Sequence, residues 1–524
     1  MPYSAQPGPV KNVLFIMVDQ LRWDYLGCTG HPSLQTPNLD QLAGRGVLFD
    51  RTYVQSPICG PSRMSYYTGR YVSSHRSTWL MVPLPLSERT MGDYLRENGR
   101  NLSLIGKSHF LPDRNSIERL GGLSDPDRSG YAMEGGFENI ARDDGIFGSG
   151  PIQTKYAEYL RANGYDSPNP WHDFANSAEG PNGEILSGWH LRYAKEPARV
   201  ADQHGETAYT TDRAIEFIEG KGDDPWALHL SYIKPHWPYV VSAPYNAMYG
   251  PADIIPANRA SSEMTRANPV YKAMADRQES REFMRDEVRE AVVPVYMGLI
   301  KQLDDHLGRL FAVLEGQGRM DDTLIVFTSD HGDYLGDHWM GEKELFHEES
   351  VRVPMIIFDP RAQADATRGT TSKHLVESID LIPTFLESLG FDGAPEALEG
   401  KSLIPLLHGK DVQWRETVFS ELDYAFHADV RKDLDRSVDE CRGYMVFDGR
   451  WKFIFWEGFP PMLFDHQSDP GERVDLGQSN AHSAVRVRME KALFSWLRGL
   501  KNRTTVDNKF VEEWRDSEFQ IGQW

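Results

Sequence analysis

The feature that most limits the fold is the run Asn12-Val-Leu-Phe-Ile-Met-Val18, seven residues without a charge, which stops at Asp19-Gln20. A strand apolar on both faces cannot border water, so it reads as a buried strand of a parallel sheet covered by helices. Similar runs recur. Asn101 to Ile105 leads into Gly106-Lys107-Ser108-His109, Ala227 to Ile233 into Lys234-Pro235-His236, and Leu324 to Thr328 into Ser329-Asp330-His331. Val353 to Phe358 is one more, following Arg352. Met91 to Asn98, Tyr209 to Glu219 and Glu377 to Leu389 read as helices, as does Tyr296 to Leu314, with Leu299, Leu303, Leu307, Leu310 and Leu314 on one face. Strands alternating with helices predict an α/β fold with a mostly parallel sheet, whose ligands bind at the carboxyl ends of the strands. Asp19 and Asp330 both arrive at that edge, and a divalent cation is the simple reason to bring such acids together.

The chain of 524 residues, 40% hydrophobic and 25% charged, is long enough for one large core and a smaller one. From about Trp414 the pattern changes to short β-type runs at Val418 to Leu422, Tyr444 to Phe447, Trp451 to Trp456 and Met462 to Asp465, followed by an amphipathic helix at Val485 to Leu500. This divides the chain into a catalytic domain, 1–413, and a small C-terminal α+β domain with an antiparallel sheet, 414–524. The stretch Pro112 to Ala208 is irregular apart from a helical pattern at Thr154 to Asn163, and is assigned to substrate-enclosing loops. The aromatic tail, Phe510, Trp514, Phe519 and Trp524, is expected to dock, with a second copy in a homo-oligomer as one partner.

A net charge of -21 argues against nucleic acid and against a basic membrane-binding face, so an anion pocket has to be locally positive. No apolar run of about 18 residues exists, and Met1 to Lys11 has no signal-peptide pattern, so a cytoplasmic protein is expected. Cys28, Cys59 and Cys441 neither all pair nor show a metal-ligand spacing.

Cys59 stands apart from the other two. In Ser56-Pro-Ile-Cys-Gly-Pro-Ser-Arg-Met-Ser-Tyr-Tyr-Thr-Gly-Arg70 it precedes a short helix expected to begin near Pro61 and close at Gly69, a position that binds anions and favours a thiolate. Taken alone, Cys-Gly at a turn is equally a buried thiol, and Ser62 is equally a helix-terminus residue or a nucleophile. The longer string, Cys-x-Pro-Ser-Arg followed by Thr-Gly, resembles the signature of type I sulfatases, in the arylsulfatase and phosphonate monoester hydrolase branch of the alkaline phosphatase superfamily. Thr36-Pro-Asn-Leu-Asp40, Gly106-Lys-x-His109, His236-x-Pro238, Gly400-Lys-Ser-Leu403 and Asp469-Pro-Gly-Glu472 match further elements of that family in order.

The resemblance implies an alkaline-phosphatase-like α/β/α sandwich, with Cys59 converted to formylglycine by a formylglycine-generating enzyme. A hydrated aldehyde carries two hydroxyls on one carbon, one to attack the ester and one to expel the bound sulfate. It further implies that Arg63 supports the nucleophile, Lys107 holds the sulfate, His109 contacts the nucleophile's hydroxyl, and His236 and Lys343 stand over the leaving oxygen. Asp19, Asp330, His331 and converted Cys59 would bind one divalent cation, with Gln20 as a weaker ligand. Many sulfatases have a second Asp at the position of Gln20 and Asn at that of His331; the imidazole admits Mn²⁺ beside Ca²⁺ or Mg²⁺. The expected substrate is a small-molecule sulfate ester, with phosphonate monoesters and phosphodiesters as the alternative at the same site. The phosphonate branch carries hydroxyl residues where Lys107 and His109 stand, which favours sulfate. An unconverted Cys59 protein that binds anions without turnover is the reading from a different class. Asp337 and His338 read equally well as supporting groups or as solvated ones.

Overall fold

The computed structural model describes residues 8–121, 126–265, 268–391 and 395–514. Its central sheet has eight strands: β1 (Asn12–Val18), β2 (Val47–Phe49), β3 (Leu102–Gly106), β4 (Glu138–Arg142), β5 (Ala227–Tyr232), β6 (Thr323–Ser329), β7 (Met355–Phe358) and β8 (Thr370–Ser372). They lie in the order β8-β2-β7-β6-β1-β5-β3-β4. β1 runs parallel to β6 on one side and to β5 on the other, and β3 continues the parallel set next to β5. Only β7 opposes its neighbours. Every residue of β1, β5 and β6 is buried, the polar His229 and Ser231 of β5 included. Alternate residues of β1 feed two cores: Val13, Phe15 and Met17 one, Leu14, Ile16 and Val18 the other.

Among the helices, α1 (Cys59–Thr68) faces the carboxyl edge of the sheet, while α2 (Glu206–Lys221) and α3 (Asp286–Gly316) cover it. The leucine face of α3 is buried as expected, but the helix starts ten residues before Tyr296. Val288, Val292 and Val293 extend the apolar stripe through Pro294, which interrupts only one backbone bond of a helix fixed by its packing.

The stretch 112–208 is less irregular than its composition indicates. It supplies β4, an edge strand with one fully buried residue and therefore no apolar run to reveal it. The second sheet is antiparallel throughout: β9 (Val418–Asp423), β10 (Arg442–Phe447), β11 (Trp451–Trp456) and β12 (Met462–Asp465) in chain order. α4 (Ser483–Gly499) lies on it through Met489 and Leu493, packed with Val446, Phe453 and Leu463. Arg415, just before β9, pairs with Asp380 at 2.6 Å. Within the tail, Phe510 and Trp514 touch each other at 5.6 Å and stay 50% and 64% exposed; Phe519 and Trp524 lie outside the described residues.

Candidate active site

Four adjacent parallel strands each end in a candidate residue. β6 delivers Asp330 and His331, β1 Asp19 and Gln20, β5 the turn with His236, and β3 Lys107 and His109, all at one sheet edge. The backbone bends sharply there. Gln20 and His109 hold left-handed φ of 63° and 53°, a strain on the order of 1 kcal/mol each that tends to persist at functional sites. Gly106 packs so closely on β5 that an added Cβ would lie 1.9 Å from the carbonyl oxygen of Ser231.

Cys59 is the first residue of α1, so the helix begins two residues before Pro61 and places the thiol among the unpaired N–H groups of its first turn. Gly69 ends the helix in the left-handed conformation at φ 66°, as expected. The Ser62 hydroxyl donates to the carbonyl of Asp330 at 2.6 Å, which commits it to holding helix and strand together.

His331 donates from Nδ1 to the Gly332 carbonyl at 2.9 Å, leaving the Nε2 lone pair free. Nε2 lies 3.0 Å from Cys59 Sγ, 3.6 Å from Asp19 Oδ1 and 3.7 Å from Asp330 Oδ1. The other carboxylate oxygens are taken by cations. Arg63 donates to Asp330 Oδ2 at 2.7 Å and lies 3.3 Å from Asp19 Oδ2, which Lys107 also pairs with. Thus outer oxygens face cations while two inner oxygens, an imidazole nitrogen and a sulfur converge, all within 4.8 Å of one another and fully buried. Such lone pairs repel unless a cation lies among them, and two carboxylates with one imidazole suit a divalent ion, so the residues present fit the expected metal.

Around this centre lies a positive wall. Burial raises the Asp19 carboxyl, but the charges of Lys107 and Arg63 outweigh it and hold the group well below the usual carboxylate range. Burial and then Lys343 depress His236; burial and then Lys107 depress His109. Burial works against the Lys343 ammonium, yet Cys59, Glu342 and Asp19 raise it above the ordinary lysine value. Lys343 donates to His236 Nε2 at 3.1 Å, while His236 Nδ1 donates to the Trp237 carbonyl at 2.7 Å. In this pair the lysine carries the charge and the imidazole is neutral.

The structure brings together Asp19, Cys59, Arg63, Lys107, His109, His236, Asp330, His331 and Lys343. Gln20 is present in another capacity. Its backbone N–H holds Asp330 Oδ1 at 3.1 Å, its amide oxygen accepts from Lys343 at 2.9 Å, and its amide nitrogen donates to Asp333 at 2.6 Å. Asp337 and His338 are buried rather than solvated, and their partners, Arg22 for one and Glu263 and Glu349 for the other, belong to a different cluster. Two supporting acids escape a reading of the sequence. Asp144 accepts from the backbone of Ser108 and His109 at 2.8 and 2.7 Å, and Asp333 orients Gln20. Asp144 follows β4 as Asp330 follows β6, so recognising that edge strand is the signal that would have found it.

The comparisons agree with this geometry. A family model described as Sulfatase matches residues 11–391, and one described as N-sulphoglucosamine sulphohydrolase, C-terminal, matches 336–498. The multifunctional alkaline phosphatase superfamily protein PehA of Trinickia caryophylli is 34% identical over 94% of this chain and 96% of its own. The arylsulfatase of Clostridium perfringens is 25% identical over 96% and 97%. The phosphonate monoester hydrolase of Agrobacterium radiobacter superposes with a TM-score of 0.81 at 28% identity, covering 95% of this chain and 97% of that one. The chain, with its alkaline-phosphatase-like α/β body and small antiparallel sheet, belongs to the sulfatase family.

Proposed function

We propose that this protein hydrolyses sulfate monoesters of the arylsulfatase type, with residue 59 as nucleophile in its formylglycine form. The observation that carries the reading is unspent bonding capacity around Cys59: His109 Nδ1 is buried without a hydrogen-bond partner among the described residues, and Lys107 Nζ, paired with Asp19, keeps its remaining donors uncommitted. Buried donors of this kind await ligand oxygens. Asp19, Asp330, His331 and residue 59 would hold one divalent ion, Ca²⁺, Mn²⁺ or Mg²⁺, whose chemistry when bound is to polarise the nucleophile and an ester oxygen. The hydrated aldehyde of converted Cys59 supplies two hydroxyls where the thiol supplies one sulfur.

In this reading Arg63 fixes both carboxylates from behind, and its charge supports the anionic nucleophile. Lys107 and Lys343 stabilise charge on the transferred group. His109, held neutral, takes a proton from a hydroxyl at residue 59, and Asp144 fixes the backbone that carries it. Lys343, charged and bonded to neutral His236, supplies a proton or its charge to the leaving oxygen.

Phosphonate monoesters are the second reading, favoured by the superposition on a phosphonate monoester hydrolase along 95% of the chain. Lys107 and His109 place sulfate first, and similar tetrahedral oxygens make promiscuity toward phosphonate and phosphate esters expected. The test is a panel of aryl sulfates, a phosphonate monoester and a phosphodiester on metal-loaded, converted protein. Sulfate reading requires the highest kcat/KM on an aryl sulfate; a phosphonate monoester turned over faster than every aryl sulfate reverses the order.

A further inference from the structure

The stretch between β4 and α2 contributes a row of aromatic rings that ends beside the site. Phe147 meets Trp171 edge-on at 5.6 Å, Trp171 lies 6.2 Å from Trp189, Trp189 meets Trp237 edge-on at 4.6 Å, and Trp237 stacks on His236 at 5.4 Å and 19°. The two ends of the row differ. Trp171 is fully buried and donates its indole N–H to Glu206 at 2.5 Å. Trp189 and Trp237 are partly exposed, and the Trp237 N–H is enclosed without an acceptor among the described residues.

The row is held against the site by a buried cation. Lys234, on the turn that carries His236, donates to Asn176 Oδ1 at 2.6 Å and to the Pro238 carbonyl at 2.7 Å. Asn176 opens the hairpin of Ser177–Glu179 and Ile185–Ser187 that leads to Trp189. At Gly188 an added Cβ would lie 2.6 Å from Val240 and 3.1 Å from Pro238, so the hairpin rests directly on the turn.

Resting on the function proposed above, we propose that Trp237, backed by Trp189, is the wall of the alcohol subsite and selects flat aromatic alcohols. A leaving oxygen beside His236 and Lys343 places the next atoms of its alcohol within ring distance of Trp237. Offset or edge-to-face packing there favours an aromatic ring over an alkyl group beyond the area buried. One enclosed N–H can meet an acceptor on such a ring. A sugar alcohol needs several polar partners, and the polar side-chain atoms of this row are indole N–H groups alone, with that of Trp171 committed to Glu206.

The experiment compares 4-nitrophenyl and small alkyl esters in Trp237→Ala, Trp237→Phe and Trp189→Ala, reading the aryl-to-alkyl ratio of kcat/KM within each preparation. The ratio cancels the folded fraction and any disturbance of His236 common to both esters. Trp237→Ala is expected to lower it roughly fivefold to twentyfold, mostly through KM for the aryl ester, with Trp237→Phe restoring most of the loss and Trp189→Ala giving a smaller one. Equal losses on both esters, or a loss confined to kcat, overturn the wall. A wild type that turns over phosphonate but not sulfate esters fails the sulfate reading alone, and the same ratio is then taken with aryl and alkyl phosphonates. A converted wild type that turns over neither overturns both.

Discussion

One loop serves two buried charge clusters, and they are wired in opposite ways. Asp330 and His331 enter the site with Asp19, Cys59, Arg63 and Lys107; a few residues on, His338, Glu348 and Glu349 enter a cluster shared with the C-terminal sheet. In the second cluster His338 stands between Glu263 at 2.6 Å and Glu349 at 3.2 Å. Lys452 of β11 stands between Glu348 at 2.8 Å and Glu472 at 2.7 Å, with His466 closing on Glu472 at 2.9 Å. Each acid there has a cation of the chain's own, so although its carboxylates and imidazoles lie close enough for a metal, their charges are already matched. At the site the inner oxygens and the His331 lone pair face one another, while Lys107 and His109 keep donors in reserve. Burial and shifted pKa values are common to both clusters; inner lone pairs that converge with no cation of the chain among them mark the one proposed to turn over substrate.

The contrast yields paired expectations. Cys59→Ala should abolish turnover, by on the order of 10⁴-fold or more, with little change in unfolding midpoint; a variant retaining a tenth of wild-type kcat would break the comparison at once. Lys452→Met should do the reverse. Leaving Glu348 and Glu472 buried without their cation costs about 3–5 kcal/mol in denaturant unfolding, with kcat/KM per folded molecule within about threefold of wild type. Lys107→Ala should lower kcat on aryl sulfates by roughly 10²–10³, with a smaller loss of stability than Lys452→Met because Asp19 keeps Arg63.

The smallest effect is on pH. Burial would lower His338, but Glu349 and Glu263 outweigh it and raise the group from 6.5 to about 10. A raised imidazole stabilises fully below its unfolded value, and the contribution fades as pH climbs from 6.5 toward about 10. Glu349 has the opposite sign: burial raises it, yet His338 outweighs burial and holds it below its usual range, so its contribution is lost as pH falls below 4.5. Urea midpoints should fall on both sides of neutrality, and His338→Gln should flatten the alkaline limb by about 1 kcal/mol or more. An unchanged alkaline limb would show that the pair carries no such linkage.

The site was legible in the sequence wherever a residue directly follows an apolar strand, because run length and its polar stop both come from burial in a parallel sheet. Asp19, Lys107, Asp330 and His331 are of this kind, with His109 and His236 in the turns just beyond their strands. What escaped depends on contacts without a period. Asp144 follows an edge strand with almost no apolar signal, Gln20 uses its backbone and amide on three different neighbours, and His338 is buried by segments far away in the chain. The four strands of the small sheet were legible as short β-type runs, and the row from Phe147 to Trp237 was not, because ring contacts leave no spacing in the chain.

The central claim is that residue 59, in its converted form, makes the unsatisfied cluster a hydrolase. Its most direct test is specific activity on an aryl sulfate plotted against the converted fraction, read from the mass of the peptide containing residue 59, across metal-loaded preparations made with and without a formylglycine-generating enzyme. Activity should rise in proportion to conversion from an intercept of zero. Full turnover in protein whose residue 59 is entirely cysteine would contradict the account.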